Sequence, residues 1–187
     1  DEKIREVLAI LESTQRAQKI VLSRRTDFEV IRPGARSEVL NEILKSSPLS
    51  YGFLFSPDES TTFLGATPER LYKRVDRSIV SAALAGTTTR GVNQEQDKVL
   101  AHDLLNSRKN RLEHQIVVDT IAAELQRVCS SPVATDETTT VRTGSVQHLI
   151  AALRGTLRDD ATDHDILLGL HPTPAVAGTP TELAMQF

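Results

Sequence analysis

Apolar residues change their spacing along the chain, and each change predicts an element. Ile4, Val7, Leu8 and Leu11 recur at helical intervals and predict an amphipathic helix ending near Ala17. The run from Lys19 to Val30 opens β-branched and apolar and reads as a strand, with Lys19, Val21 and Ser23 on one face and Ile20 and Leu22 on the other. Arg32-Pro33-Gly34 predicts a turn. Ser37 to Lys45 predicts a short helix that turns Val39, Leu40, Ile43 and Leu44 inward. Tyr51–Phe55 and Thr61–Gly65 make a hairpin around Ser56-Pro-Asp-Glu-Ser60, and Ser78–Leu84 is a further strand followed by a loop from Ala85 to Gly91.

From Asn93 to Val128 the period is helical, with Asn93 as N-cap, Glu95 in the first turn and a break near Asn106–Asn110. Leu112, Ile116, Ile121 and Leu125 trace its buried stripe, with Glu113 at the edge. Val133–Arg142 and Gln147–Leu157 read as strands. Thr162 caps a helix over Asp163–Leu170, and a loop stiffened by three prolines follows from His171 to Pro180. Strands that neighbour one another, with helices in blocks, predict an α+β fold of largely antiparallel sheets flanked by helices.

Composition narrows the class. At 39% hydrophobic and 25% charged, the 187 residues are those of a globular domain with a sizeable core. No apolar run is long enough to span a membrane, and the first twenty residues read as a charged amphipathic helix, not a secretory signal. A net charge of −3 and 4% aromatic residues leave no footprint for nucleic acid. One cysteine, Cys129, excludes a disulfide framework and a zinc cluster of cysteines, and predicts a buried free thiol in a reducing cytoplasm. The chain opens at Asp1 directly into helix. Near its other end Thr179-Pro180-Thr181-Glu182 reads as a capping box, with Pro at the first helical position of a helix that Phe187 cuts short. Both features predict a segment of a larger protein.

Several polar residues stand where chemistry could use them, and each also has a plain structural explanation. Glu113 is a carboxylate at a core margin, or the helical partner of Lys109 one turn back. Lys19 shares a strand face with a valine, or snorkels at a strand end. Glu69 follows a strand in Thr67-Pro-Glu-Arg-Leu71, in a turn where exposed charges are common. The small residues and hydroxyls from Ala85 to Gly91 suit the approach of an anionic ligand, or merely a tight turn. His171 heads a rigid loop, as a ligand contact or as a hydrogen-bonded structural residue.

Taken together and in order, these segments change the balance. Lys19-Ile-Val-Leu-Ser-Arg, Phe63-Leu-Gly-Ala-Thr-Pro-Glu-Arg-Leu71, Ala83-Leu-Ala-Gly-Thr87, Ser107-Arg-Lys-Asn-Arg-Leu-Glu-His-Gln-Ile-Val-Val118 and Leu170-His-Pro-Thr-Pro-Ala-Val-Ala-Gly178 resemble the chorismate-binding enzyme family. Within it they are most similar to the isochorismate synthases of siderophore and menaquinone pathways. The resemblance implies the fold shared with anthranilate and aminodeoxychorismate synthases, here incomplete, with residues 1–187 forming a partial chorismate-binding domain. It implies chorismate and isochorismate as ligands, Mg²⁺ as cofactor and a cytoplasmic monomer.

The same resemblance assigns roles. Lys19 looks like the general base that activates water for attack at C2 of chorismate, and Glu69 like the general acid that protonates the departing C4 hydroxyl. Glu113 looks like a magnesium ligand, Gly86 and Thr87 line the substrate, and His171 contacts it near the reacting ring. Water is a poor nucleophile and hydroxide a poor leaving group, so a base and an acid on two sides of one ring suit this exchange. A lysine base favours water over ammonia as nucleophile. The His-Pro-Thr-Pro loop favours isochorismate synthase over salicylate synthase, which shares the lysine and goes on to eliminate pyruvate. Salicylate synthase or another chorismate-utilising enzyme, and a non-catalytic scaffold remnant, are the alternatives. The family's second metal carboxylate and its carboxylate-binding arginine fall after the His-Pro-Thr-Pro motif, beyond Phe187, so the 187 residues alone are expected to be inactive.

Overall fold

The computed structural model describes residues 2–13, 17–31 and 34–187. The chain runs α1 (Glu2–Ser13), β1 (Lys19–Ile20), α2 (Arg36–Ser46), β2 (Tyr51–Phe55), β3 (Phe63–Thr67), β4 (Lys73–Val75), β5 (Ser78–Thr89), α3 (Gln94–Asn106), α4 (Arg108–Val128), β6 (Ala134–Thr135), β7 (Thr139–Arg142), β8 (Val146–Thr156), α5 (Asp163–Leu170), β9 (Gly178–Thr179) and α6 (Thr181–Ala184). Every pairing among these strands is antiparallel, in keeping with the expected α+β class.

The core lies between α4 and the central sheet. That sheet has the order β4-β5-β8-β6, with β7 also on β8. Alternation on β5 buries Ile79, Ser81, Ala83 and Ala85, and on β8 it buries Gln147, Leu149, Ala151 and Leu153. The two sets are in register, with Ala83 opposite Ala151 and Ala85 opposite Leu149. Alanines at these positions let a helix lie close to the sheet. The α4 face that fills the space carries His114, Val117, Val118, Ile121, Leu125 and Val128. Each fully buried Leu or Ile there stabilises the fold by about 1.5–3 kcal/mol relative to exposure. Two further two-stranded sheets, β2–β3 and β1–β9, stand apart from this layer.

Local signals were followed where a local bond enforces them. Asn93 caps α3 by accepting from the Gln96 backbone N–H, the helix breaks at Ser107, and Thr162 caps α5 in a reciprocal pair with Asp165. Cys129 is free and buried.

Several expectations are corrected. The buried stripe of α4 keeps Ile121 and Leu125 but shifts in its first turns: Leu112 is 64% exposed, Ile116 is half-buried, and His114 takes the inward place. The strand expected over Lys19–Val30 is paired only at Lys19–Ile20; beyond Val21 no neighbouring strand among the described residues continues the ladder, and Phe28 and Val30 are exposed. Helix α1 is described over Glu2–Ser13; its expected end near Ala17 falls partly outside the described residues, and Ala17 itself is non-helical. None of the apolar residues of α2 is fully buried. Most of the expected loop after Leu84 is instead strand, because β5 continues through a bulge at Gly86 to Thr89 and pairs with β8 on both sides of the bulge. Val133–Arg142 splits into β6 and β7, both resting on β8. At the last helix Pro180 is the N-cap itself and has no side chain that could accept a hydrogen bond, so Thr179 forms no capping box. The turn expected at Arg32-Pro33-Gly34 falls partly outside the described residues, since Arg32 and Pro33 are not among them.

Candidate active site

Lys19 comes from β1, which pairs with β9 so that Lys19 faces Thr179 and Ile20 faces Gly178. Its side chain is only 11% exposed, and Nζ lies 3.1 Å from Oε1 of Glu113. The carboxylate of Glu113 therefore meets Lys19, 94 positions away, and not Lys109 one turn back as the helical alternative had it. Helix α4 orients this carboxylate from its second turn. The first turn is anchored by Ser107, whose hydroxyl accepts from the Asn110 backbone N–H and from Asn110 Nδ2.

Glu69 arrives from the exit of β3. Its backbone N–H donates to Thr67 Oγ1, which folds the turn back on the strand end. Burial pushes the Glu69 carboxyl above its ordinary value, and the positive charge of Lys19 partly opposes that shift. Lys19 thus acts on two carboxylates of unlike character. One is half-buried and biased toward the protonated form; the other is paired with the amine at contact distance.

Gly86 and Thr87 lie at the bulge of β5, and Gly86 meets the start of α4. Gly86 sits in the bulge with φ of 80°, in the left-handed region, and a Cβ there would stand 3.2 Å from the Asn110 side chain, its carbonyl oxygen and Leu149. Its missing side chain lets the start of α4 approach the sheet. After the bulge Thr87 is exposed, and its Oγ1 lies 2.9 Å from His148 Nδ1. The other ring nitrogen of His148 is 3.4 Å from Thr143 Oγ1, and burial lowers its pKa, favouring the neutral imidazole. The sequence reasoning passed over His148. Strand alternation was the available signal, because it sets His148 on the opposite face of β8 from Gln147 and Leu149 and directly across from Thr87.

Behind Glu113, His114 is buried against β5. Burial lowers its pKa, against the smaller opposing influences of the Ala85 backbone and the Glu113 charge, and neither ring nitrogen has a partner in hydrogen-bonding geometry. At the rim, Asp97 binds Arg90 through both carboxylate oxygens, accepts from the Gly91 N–H and lies 3.6 Å from Arg142. The Arg90 hydrogen bonds, followed by that of Gly91, hold its carboxyl down to about 2. This cluster ties the end of β5 to the start of α3.

His171 lies elsewhere. It is the exposed C-cap of α5 and lines an open cavity of about 600 Å³ with Glu124, Arg127, Arg158, Asp165 and Glu182. Lys19, Glu69 and Glu113 are not among the residues lining that cavity. As for a metal, no group of three or more His, Cys, Asp and Glu side chains converges among the described residues. Magnesium is commonly held by one or two protein carboxylates with waters and substrate. Glu113, a hard oxygen donor with its side chain 36% exposed, fits such a site as one ligand.

A nearly buried amine paired with one carboxylate and within electrostatic reach of a second, on a mixed helical and antiparallel scaffold, is a combination suited to moving protons at a bound substrate. The chain belongs to the chorismate binding enzyme family, whose sequence profile matches residues 1–187. It is 41% identical over 168 residues to the isochorismate synthase MenF of Bacillus subtilis, covering 90% of this chain and 36% of that protein. With the isochorismate synthase DhbC of the same organism it shares 35% identity over 177 residues, covering 90% and 44%. The structure of the menaquinone-specific isochorismate synthase MenF from Escherichia coli superposes with a TM-score of 0.77 at 32% identity, over 82% of this chain and 36% of that one. The anthranilate synthase component I of Streptococcus pneumoniae shares the fold, with a TM-score of 0.68 at 24% identity, over 83% of this chain and 34% of that one. The chain thus spans less than half the length of these relatives.

Proposed function

We propose that this chain carries the proton-transfer centre of an isochorismate synthase, which adds water at C2 of chorismate as the C4 hydroxyl leaves. The observation that carries this reading is the position of Lys19, 3.1 Å from Glu113 and within electrostatic reach of a Glu69 whose carboxyl burial has pushed up. In its unprotonated form Lys19 takes the proton of the attacking water. Glu69, kept protonated to higher pH than an ordinary carboxyl, delivers a proton to the leaving hydroxyl, so that the departing group is water. Thr87, oriented by His148, offers a hydroxyl to the substrate beside the bulge at Gly86. Glu113 would hold Mg²⁺ as one carboxylate ligand, and when bound the ion supplies positive charge for the carboxylates of chorismate. His171 would reach the substrate only from outside the Lys19 cluster. A cytoplasmic enzyme completes the proposal, supported by the buried free thiol of Cys129, with a monomer expected from the family resemblance.

The test is product analysis with chorismate in the full-length protein. Isochorismate without pyruvate release is the expected outcome, and pyruvate release would point to salicylate synthase instead. Lys19→Ala should lower kcat by about 10²–10⁴-fold, the usual worth of a placed proton-transfer group. An unchanged rate in a folded Lys19→Ala variant would remove the base assignment.

A further inference from the structure

The strand that carries Lys19 is two residues long, and two paired residues do not hold themselves in place. Among the described residues it pairs with no strand other than β9. The Gln18 N–H donates to the Thr179 carbonyl at 2.8 Å, and the Val21 N–H donates to the Ala177 carbonyl at 2.9 Å. Between these bonds lies Gly178, buried, with φ of 132°, a conformation that L side chains rarely adopt. A Cβ on Gly178 would run into the carbonyl oxygen of Lys19 itself and would stand 2.9 Å from the Ala184 Cβ. The backbone of Gly178 therefore lies closer to the Lys19 peptide than a residue with a Cβ could.

The platform beneath Gly178 is firm. Thr173 accepts from the N–H groups of both Val176 and Ala177 at 3.0 Å, and the Pro180 carbonyl accepts from the Ala184 N–H at 3.0 Å as α6 begins. Thr173, Ala177 and Ala184 are all buried. On the assignment of Lys19 as the base, we infer that Gly178 is the positioning residue of the site. The proline-rich loop from 171 to 180 serves chiefly to present the Gly178 backbone, on which the Lys19 peptide rests and from which its amine is aimed at Glu113. That role differs from the substrate contact expected of His171, which stands at the other end of the same loop.

The test reads the lysine directly. Timed acylation with acetic anhydride followed by peptide mass spectrometry reports the protection of each lysine amine, with Lys45, exposed on α2, as the internal standard. In Gly178→Ala the Lys19 amine should acylate about tenfold faster relative to Lys45, through local opening of the β1–β9 pair, while circular dichroism of the remaining fold is kept. Val21→Pro, which removes the bond to Ala177 without adding a side chain to β9, should expose Lys19 in the same way if Gly178→Ala fails to fold. Thr179→Val leaves the backbone pair intact and should leave Lys19 protected. In steady-state kinetics Gly178→Ala should lower kcat at little change in KM. Wild-type protection of Lys19 in both folded variants, Gly178→Ala and Val21→Pro, would overturn the inference. Faster acylation with full activity in Lys19→Ala would instead uphold the positioning and remove only the base assignment.

Discussion

At the scale of single residues, Glu69 shows how one environment sets both stability and chemistry. Burial makes its ionised form costly, and the nearby Lys19 charge recovers only part of that cost. Because its folded pKa is raised, its contribution to stability is full below its ordinary value of 4.5 and is lost as pH rises through the folded value. Glu69→Gln should therefore leave stability at neutral pH undiminished in urea titrations while lowering kcat by about 10²–10⁴-fold. A loss of stability at neutral pH in this variant would show that the ionised carboxylate is a structural partner. Asp97 has the opposite sign. Held down to about 2 by Arg90 and the Gly91 N–H, it contributes stability that is present above its ordinary 3.8 and lost as pH falls toward 2. Asp97→Asn should flatten the acid limb of the stability curve between those values, measured as urea midpoint against pH.

At the scale of elements, α4 does two jobs with two faces. Its inward face, from His114 through Val117, Ile121 and Leu125, is the core, while Glu113 lies one residue round the helix and meets Lys19. Leu125→Ala, at a fully buried position, should cost about 2–5 kcal/mol in denaturant unfolding. Much of this element was legible from sequence, because its limits depend on bonds between near neighbours: Ser107 caps it three residues from Asn110, as Asn93 caps α3. The phase of its buried face was not. Leu112 and Ile116 compete with Val117 and Val118 for the inward place, and the apolar arc is too wide to choose between them. The sheet decides, through Ala83, Ala85 and Ala151. Likewise Lys19–Val30 opens with strand composition, yet only the part that meets β9 becomes strand. The partner lies about 160 positions along the chain, where periodicity cannot see it.

At the scale of the whole molecule, the candidate site is assembled from pieces that sequence order keeps apart: β1, the exit of β3, the bulge of β5 and the second turn of α4. Each residue type was readable as a candidate, but the contact between Lys19 and Glu113 came only with the fold. His148 was missed because a histidine among apolar strand residues reads as core until its cross-strand neighbour, Thr87, is known. His171 was legible as a fixed residue in a stiff loop, yet the stiffness is directed through the other end of that loop to β1.

The pairing of β1 with β9 also bears on the order of events as the chain folds. Hairpins such as β2–β3 close over a few residues, and α4 can dock on β5 and β8 as soon as those segments exist. The joining of Ile20 to Gly178 closes a loop of most of the chain and has the largest entropy of closure of any strand pair described here. In pulse-labelling hydrogen exchange during refolding, the Val21 amide should gain protection after those of β5 and β8. During synthesis Lys19 cannot reach its final place until Gly178 has left the ribosome. A partly made chain can therefore hold a packed core while Lys19 is still without its β9 partner.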